Sequence, residues 1–142
     1  NLNKILNSPE SRHLSSVTVG RGDLTESYGL DRYLGDVNSD MIYDVTKRTF
    51  ELGRKNKLKC YLGGSMNNDS SQFVDNLIKD GLLDYFETRN VVFSIKALEL
   101  ENFNNLINLA FTFEKLKMET RRNYYERLYN EDISRLDRLR NL

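Results

Sequence analysis

Asp23 is the first residue of this chain with a use in chemistry. It stands four residues after the apolar run Leu14–Val19, inside a segment that holds Gly20 and Gly22. Glycines in such a segment let backbone N–H groups approach a ligand closely. A carboxylate there is a ligand for a hard cation such as Mg²⁺, which takes one or two carboxylates and fills its shell with substrate oxygens. An Asx-turn or helix cap accounts for the same aspartate without a ligand. Glu87 and Arg89 form a second candidate pair, at the end of the run Leu83–Glu87. An arginine and a carboxylate there suit an anionic substrate, and they suit a structural ion pair equally. Gly63-Gly64 is either a close approach to a phosphate or carboxylate or a tight turn.

Other signals are weaker. Arg21-Gly22-Asp23 is also the cell-adhesion tripeptide, but a loop at a strand end explains it. Gly20-Arg21-Gly22 is not a dinucleotide fingerprint, because the third glycine would fall at Thr25 and no helix pattern begins there. There is no P-loop Gly-Lys-Ser/Thr. His13 reads as a solvated loop residue, and Cys60 as a small buried hydrophobe. One Cys and one His exclude a disulfide framework and a Cys/His zinc site within the chain. With one His, no Ser–His–Asp or Cys–His arrangement is suggested.

These residues need a scaffold. All eight glycines lie between Gly20 and Gly81, and Pro9 is the only proline. Glycine and proline punctuate structure, so a turn-rich α/β region precedes a long helical one. Leu2–Leu6 reads as the end of a helix, and Asn1 is not Met, so a fragment or trimmed chain is expected. Leu14–Val19 and Leu58–Leu62 read as buried strands. Leu83–Glu87 reads as a third strand that runs on through Val91-Val92-Phe93. The Gly20–Gly29 stretch between the first strand and the first helix reads as a loop. That helix starts at Asn38-Ser39-Asp40 and runs to about Gly53, with Met41, Ile42, Val45, Phe50 and Leu52 as its stripe. A second helix is capped by Asp69, with Phe73, Leu77 and Ile78 on one face and Gly81 as its C′ residue. Strand–helix alternation with short loops predicts right-handed crossovers and a parallel sheet. Ligands then belong at the C-terminal ends of the strands, among Gly20–Asp23, Gly63–Asn68 and Glu87–Arg89. Phe103 to Leu128 has helical spacing with a wide apolar stripe, which reads as core or a subunit contact. Asn130-Glu131-Asp132 reads as the cap of a separate last helix.

Composition bounds the rest. The 142 residues suffice for one domain, and 11% aromatics with 39% hydrophobics argue against disorder. Lys+Arg and Asp+Glu are 21 each; residues 1–96 carry 13 of each sign and residues 97–142 carry 8 of each. Neither part is basic, which argues against nucleic-acid and membrane-surface partners. No apolar run approaches a spanning helix. A reducing, cytoplasmic location is the expectation.

The string from Val17 to Gly29 resembles the strand-six segment of the HpcH/HpaI aldolase and citrate lyase family, a hydrophobic strand followed by G-P-x-D-L-S and a glycine. Val37-Asn38-Ser39 fits the loop into helix six. Gly63-Gly64 and Phe86-Glu87-Thr88-Arg89 are similar to one branch of that family, as are Phe113-Glu114, Tyr124-Tyr125 and Glu131-Asp132 in a terminal helix. Arg21 stands where the family has Pro, and Thr25 where it has Ser. The resemblance implies an α/β fold: strands six to eight of a (β/α)8 barrel of the phosphoenolpyruvate/pyruvate type over residues 1–96, and a helical segment over 97–142. A whole barrel needs about 250 residues. It implies Mg²⁺ or Mn²⁺ held by Asp23 and by a glutamate before Asn1, with substrate bound at Gly20, Arg21, Gly22 and Asp23 and further candidates at Glu87 and Arg89. The implied reaction is carbon–carbon bond cleavage in a 2-oxo acid or acyl thioester through a metal-stabilised enolate. The full-length protein is expected to be a homo-oligomer. Two alternatives stand beside it. One is a non-catalytic α/β module that assembles through its last helix, and the other a flavodoxin-like phosphate-binding domain, disfavoured by having only three readable strands.

Overall fold

The computed structural model describes residues 2–33 and 36–142. The chain opens with α1 (Leu2–Leu6) and a 3₁₀ segment, Pro9–His13. Strand β1 (Ser16–Gly20) leads into α2 (Arg21–Ser27), and α3 (Asp40–Lys55) precedes β2 (Lys59–Gly63). A 3₁₀ turn, Asn68–Ser70, runs into α4 (Ser71–Lys79); then come β3 (Tyr85–Glu87), β4 (Val92–Ser94) and α5 (Phe103–Arg140).

The four strands form one sheet in sequence order. β1, β2 and β3 are parallel, as the alternation requires, with Gly20 beside Gly63 and Leu62 beside Phe86. β4 departs from the expected single third strand. It pairs antiparallel with β3, Glu87 opposite Val92 and Tyr85 opposite Ser94. Thr88 donates its N–H to the Val91 carbonyl at 2.9 Å, so the chain reverses over Arg89-Asn90. Asn90 is the only strong turn former there, which is why the apolar run through Phe93 masks the hairpin.

One sheet face is covered. Cys60, Leu62 and Phe86 point into a core shared with Ile42 and Phe50 of α3, Val74 and Leu77 of α4, and Phe103 and Ile107 of α5. The buried side of α3 is Ile42, Thr46, Phe50 and Gly53, not the wider stripe expected; Met41 is exposed. α3 lies so close to the sheet that a Cβ on Gly53 would stand 2.7 Å from Val17 Cγ1. The opposite face carries Thr18, Tyr61 and Tyr85, the two tyrosine rings stacked at 4.5 Å, and Thr18 is exposed.

Three local expectations are corrected. The glycine-bearing stretch after β1 is not a loop but begins as helix α2. Asp23 lies in its first turn, where a negative charge meets the helix dipole favourably, and buried Thr25 donates its hydroxyl to the Arg21 carbonyl at 2.7 Å. The capping box before α4 is formed by Asn67 and Ser70, not by Asp69. The terminal helix is continuous through Asn130-Glu131-Asp132, from Phe103 to Arg140. Gly81 does follow α4 with φ +69°, as a C′ glycine does. Among the described residues no helix is long and apolar enough to cross a membrane.

Candidate functional site

The C-terminal ends of β1, β2 and β3 lie at one edge of the sheet, and an open groove of about 790 Å³ runs beside them. Its walls come from Arg32 beyond α2, Gly64–Met66 after β2, Glu87–Val92 at the β3–β4 turn, and Phe111, Glu114 and Lys117 of α5. Of the three strand-end segments that the sequence singles out, those after β2 and β3 line the groove; Gly20–Asp23 does not line it, and its side is formed by Arg32, with α5 as a further wall.

Gly22, Gly63 and Gly64 stand close-packed at this edge. They make room for charged side chains and for backbone of the protein itself. A Cβ on Gly63 would stand 2.6 Å from Glu87 Oε1 and 2.8 Å from its Cγ, so the glutamate lies across the end of β2. A Cβ on Gly22 would stand 2.5 Å from Arg32 Nη2 and 2.9 Å from Ser65 Oγ, so the guanidinium lies across the start of α2. Gly64 (φ +79°) faces the backbone nitrogens of Arg21 and Gly22, at 2.5 and 2.6 Å from where its Cβ would be. Ser65 follows with φ +50°, a left-handed serine on the groove wall. Such conformations cost energy for non-glycine residues and concentrate at functional sites.

Asp23 is exposed; its side chain is 89% accessible. Oδ2 stands 3.8 Å from the Cβ position of Gly20, and Oδ1 is 3.5 Å from Arg32 Nη2. Asp23 follows β1, while Glu87, from β3, lies against Gly63 at the end of the intervening β2. Asp23 offers a cation one carboxylate. Among the described residues no three His, Cys, Asp or Glu side chains gather as a metal-holding group.

The Arg21 side chain does not reach the groove, so any contact of this residue with substrate falls to its backbone. The side chain is fully buried. Its Nη1 donates to Asn38 Oδ1 and its Nη2 to Ser70 Oγ at 3.0 Å, with Met66 Sδ at 3.5 Å. The guanidinium stacks over the Phe73 ring at 4.8 Å, and Nε has no partner among the described residues. Burial lowers its pKa from the ordinary arginine range to about 10. This side chain faces inward and ties α2 to the residues before α3 and around the start of α4. Arg89 and Glu87 both line the groove, and neither makes a salt bridge among the described residues; the ion pair considered between them does not form.

Arg32 is the residue that sequence reasoning missed. No strand or helix signal surrounds it, and only the fold carries it over Gly22. Cys60 is buried as expected, and its thiol is pushed up to about 11, chiefly by desolvation. Comparison of the chain with family models, with curated proteins and with solved structures found no match.

Proposed function

We propose that this chain is part of a divalent-metal-dependent carbon–carbon lyase that acts on a 2-oxo acid or an acyl thioester. The observation that carries this reading is the exposed carboxylate of Asp23, in the first turn after β1 at the strands' C-terminal edge and 3.5 Å from Arg32, which lines the groove. Two features of the fold support it. β1, β2 and β3 are parallel neighbours in chain order, as strands six to eight of a barrel would be. Parallel sheets are normally covered on both faces, and the face with Thr18, Tyr61 and Tyr85 corresponds to the inner face of such a barrel. β4 differs from the barrel pattern, because it occupies the edge of β3 that strand one would pair with.

Asp23 fits a cation as one ligand of an incomplete set, with the second carboxylate supplied from outside the described residues. Mg²⁺ or Mn²⁺ bound there supplies Lewis-acid polarisation of the substrate's oxygens. Glu87 presents a carboxylate over Gly63, and Arg89 a cation at the next turn. Arg21 holds α2, and hence Asp23, in place from below. A cytoplasmic location accompanies this proposal.

The test is Asp23→Asn in the whole enzyme. Mn²⁺ binding and Mn²⁺-dependent deuterium exchange into the methyl group of pyruvate are both expected to be lost. Unchanged Mn²⁺ affinity in the variant would sink the reading.

One observation favours assembly through α5 as a second reading. No residue of α5 beyond Ala110 is buried. Met118, Tyr125, Tyr129, Ile133 and Leu136 are exposed at helical spacing along this stretch.

A further inference from the structure

We infer that the groove holds a small oxyanion, the carboxylate or phosphate of its ligand, and that Arg32 is the residue that grips it. The inference rests on the reading of this sheet edge as the site, and not on the metal or the reaction.

Arg32 is held in place without being used up. Nη1 donates to Glu26 Oε1 at 3.2 Å, while Nη2 stands 3.5 Å from Asp23 Oδ1, beyond good hydrogen-bond distance. A guanidinium has five N–H donors in a planar fork, and the bond to Glu26 is the only one Arg32 makes among the described residues. Its side chain is 26% accessible and lines the groove. The two acids on α2 thus fix the fork while most of its donors stay unpaired. Gly22 makes this placement possible, since any side chain there would meet Nη2.

The opposite wall repeats the chemistry. Arg89 makes no hydrogen bond or salt bridge to a side chain among the described residues, and Lys117 is bonded only to Asn90, at 2.7 Å. Glu87 and Glu114 share that wall, so the groove is not a uniformly basic surface. An oxyanion is favoured where a planar fork can take it bidentately, which places it beside Arg32 with the Ser65 hydroxyl within the same wall.

The experiment titrates the metal-free full chain with malonate and, separately, with inorganic phosphate at low salt. Binding is read from amide shifts in ¹H–¹⁵N spectra. Saturable binding of one or both probes is expected, and the tighter probe identifies the source of the oxyanion. Arg32→Gln is expected to weaken binding about tenfold, the loss typical of a charged hydrogen-bonding partner, and Arg32→Lys by less. Arg48→Gln, on the exposed side of α3, is expected to change nothing. Absence of saturable binding by the unaltered chain overturns the inference, as does unchanged binding in Arg32→Gln or an equal loss in Arg48→Gln. Should Arg32→Gln unfold the chain, Arg32→Lys and Arg89→Gln carry the same test. Because neither metal nor pyruvate is present, malonate binding through Arg32 without pyruvate exchange would retain this inference and remove the pyruvate-aldolase form of the lyase.

Discussion

Arg21 and Cys60 are two chemically capable side chains that the fold withdraws from chemistry. Among the described residues Arg21 is buried without a carboxylate partner, and its charge is offset by Asn38, Ser70, Met66 Sδ and the face of Phe73. Removing it takes the partner from Asn38 Oδ1 and leaves a large void, while Ser70 keeps its bonds to Asn67. Arg21→Ala is therefore expected to destabilise the chain by about 2–4 kcal/mol, measured by urea unfolding. Cys60 offers a pH test. Its thiol ionises near 9.0 when unfolded and near 11 when folded. Between those values the folded state holds the proton that the unfolded state has lost, so stability falls as pH rises. Unfolding midpoints measured from pH 8 to pH 11 are expected to fall more steeply for the parent chain than for Cys60→Ala. Parallel slopes would show that the thiol is not protected by burial.

The elements are seated by close approaches as much as by propensity. Gly53 and Gly81 separate the two. Alanine at Gly53 gains up to about 1 kcal/mol of helix propensity, but its methyl would meet Val17 Cγ1 at 2.7 Å and Cys60 Sγ at 3.3 Å. Overpacking of that kind costs about 1–3 kcal/mol, so Gly53→Ala is expected to lower thermal stability. Gly81→Ala meets no atom within 4 Å and suffers only the left-handed backbone, φ +69°, a cost of about 1 kcal/mol. Equal stability of Gly53→Ala and the parent chain would show that α3 can lift from the sheet. Asp84 illustrates seating by polar groups: its Oδ2 accepts from the Cys60 backbone N–H at 2.7 Å and pairs with Arg54 Nη1 at 2.8 Å. That contact joins the start of β3 to β2 and to the end of α3.

At the scale of the molecule, α5 belongs to two regions. Phe103, Leu106, Ile107 and Ala110 are core, while a 38-residue helix is about 57 Å long and most of it lies beyond them. A stop codon after Lys117 is expected to leave the melting temperature within about 2 °C, because it removes no buried residue. A stop after Lys96 would remove Phe103 and Ile107 and is expected to abolish cooperative unfolding. The shorter truncation also decides the assembly reading. If sedimentation shows the same oligomeric state with and without residues 118–142, assembly through this stretch of α5 fails.

The sequence by itself determined the alternation of strands and helices, the parallel order of β1 to β3, the C′ glycine after α4 and the edge where the strand-end segments meet. These follow from local signals: apolar runs bounded by glycine, helical spacing, and the handed geometry of strand–helix–strand units. Only the tertiary structure decided what the edge is made of. That Arg21 turns inward while Arg32 covers Gly22, that Glu87 lies across Gly63, and that α5 forms a groove wall all depend on distances between segments far apart in the chain. The same holds for α2 and β4. Gly20 and Gly22 hide a short helix because glycine is a poor helix former, and a hairpin turn with one asparagine looks, residue by residue, like a longer strand. A glycine's missing Cβ is visible in the sequence; which neighbour fills the space is set by packing, and at Gly22 and Gly63 the occupants are charged side chains of the protein itself.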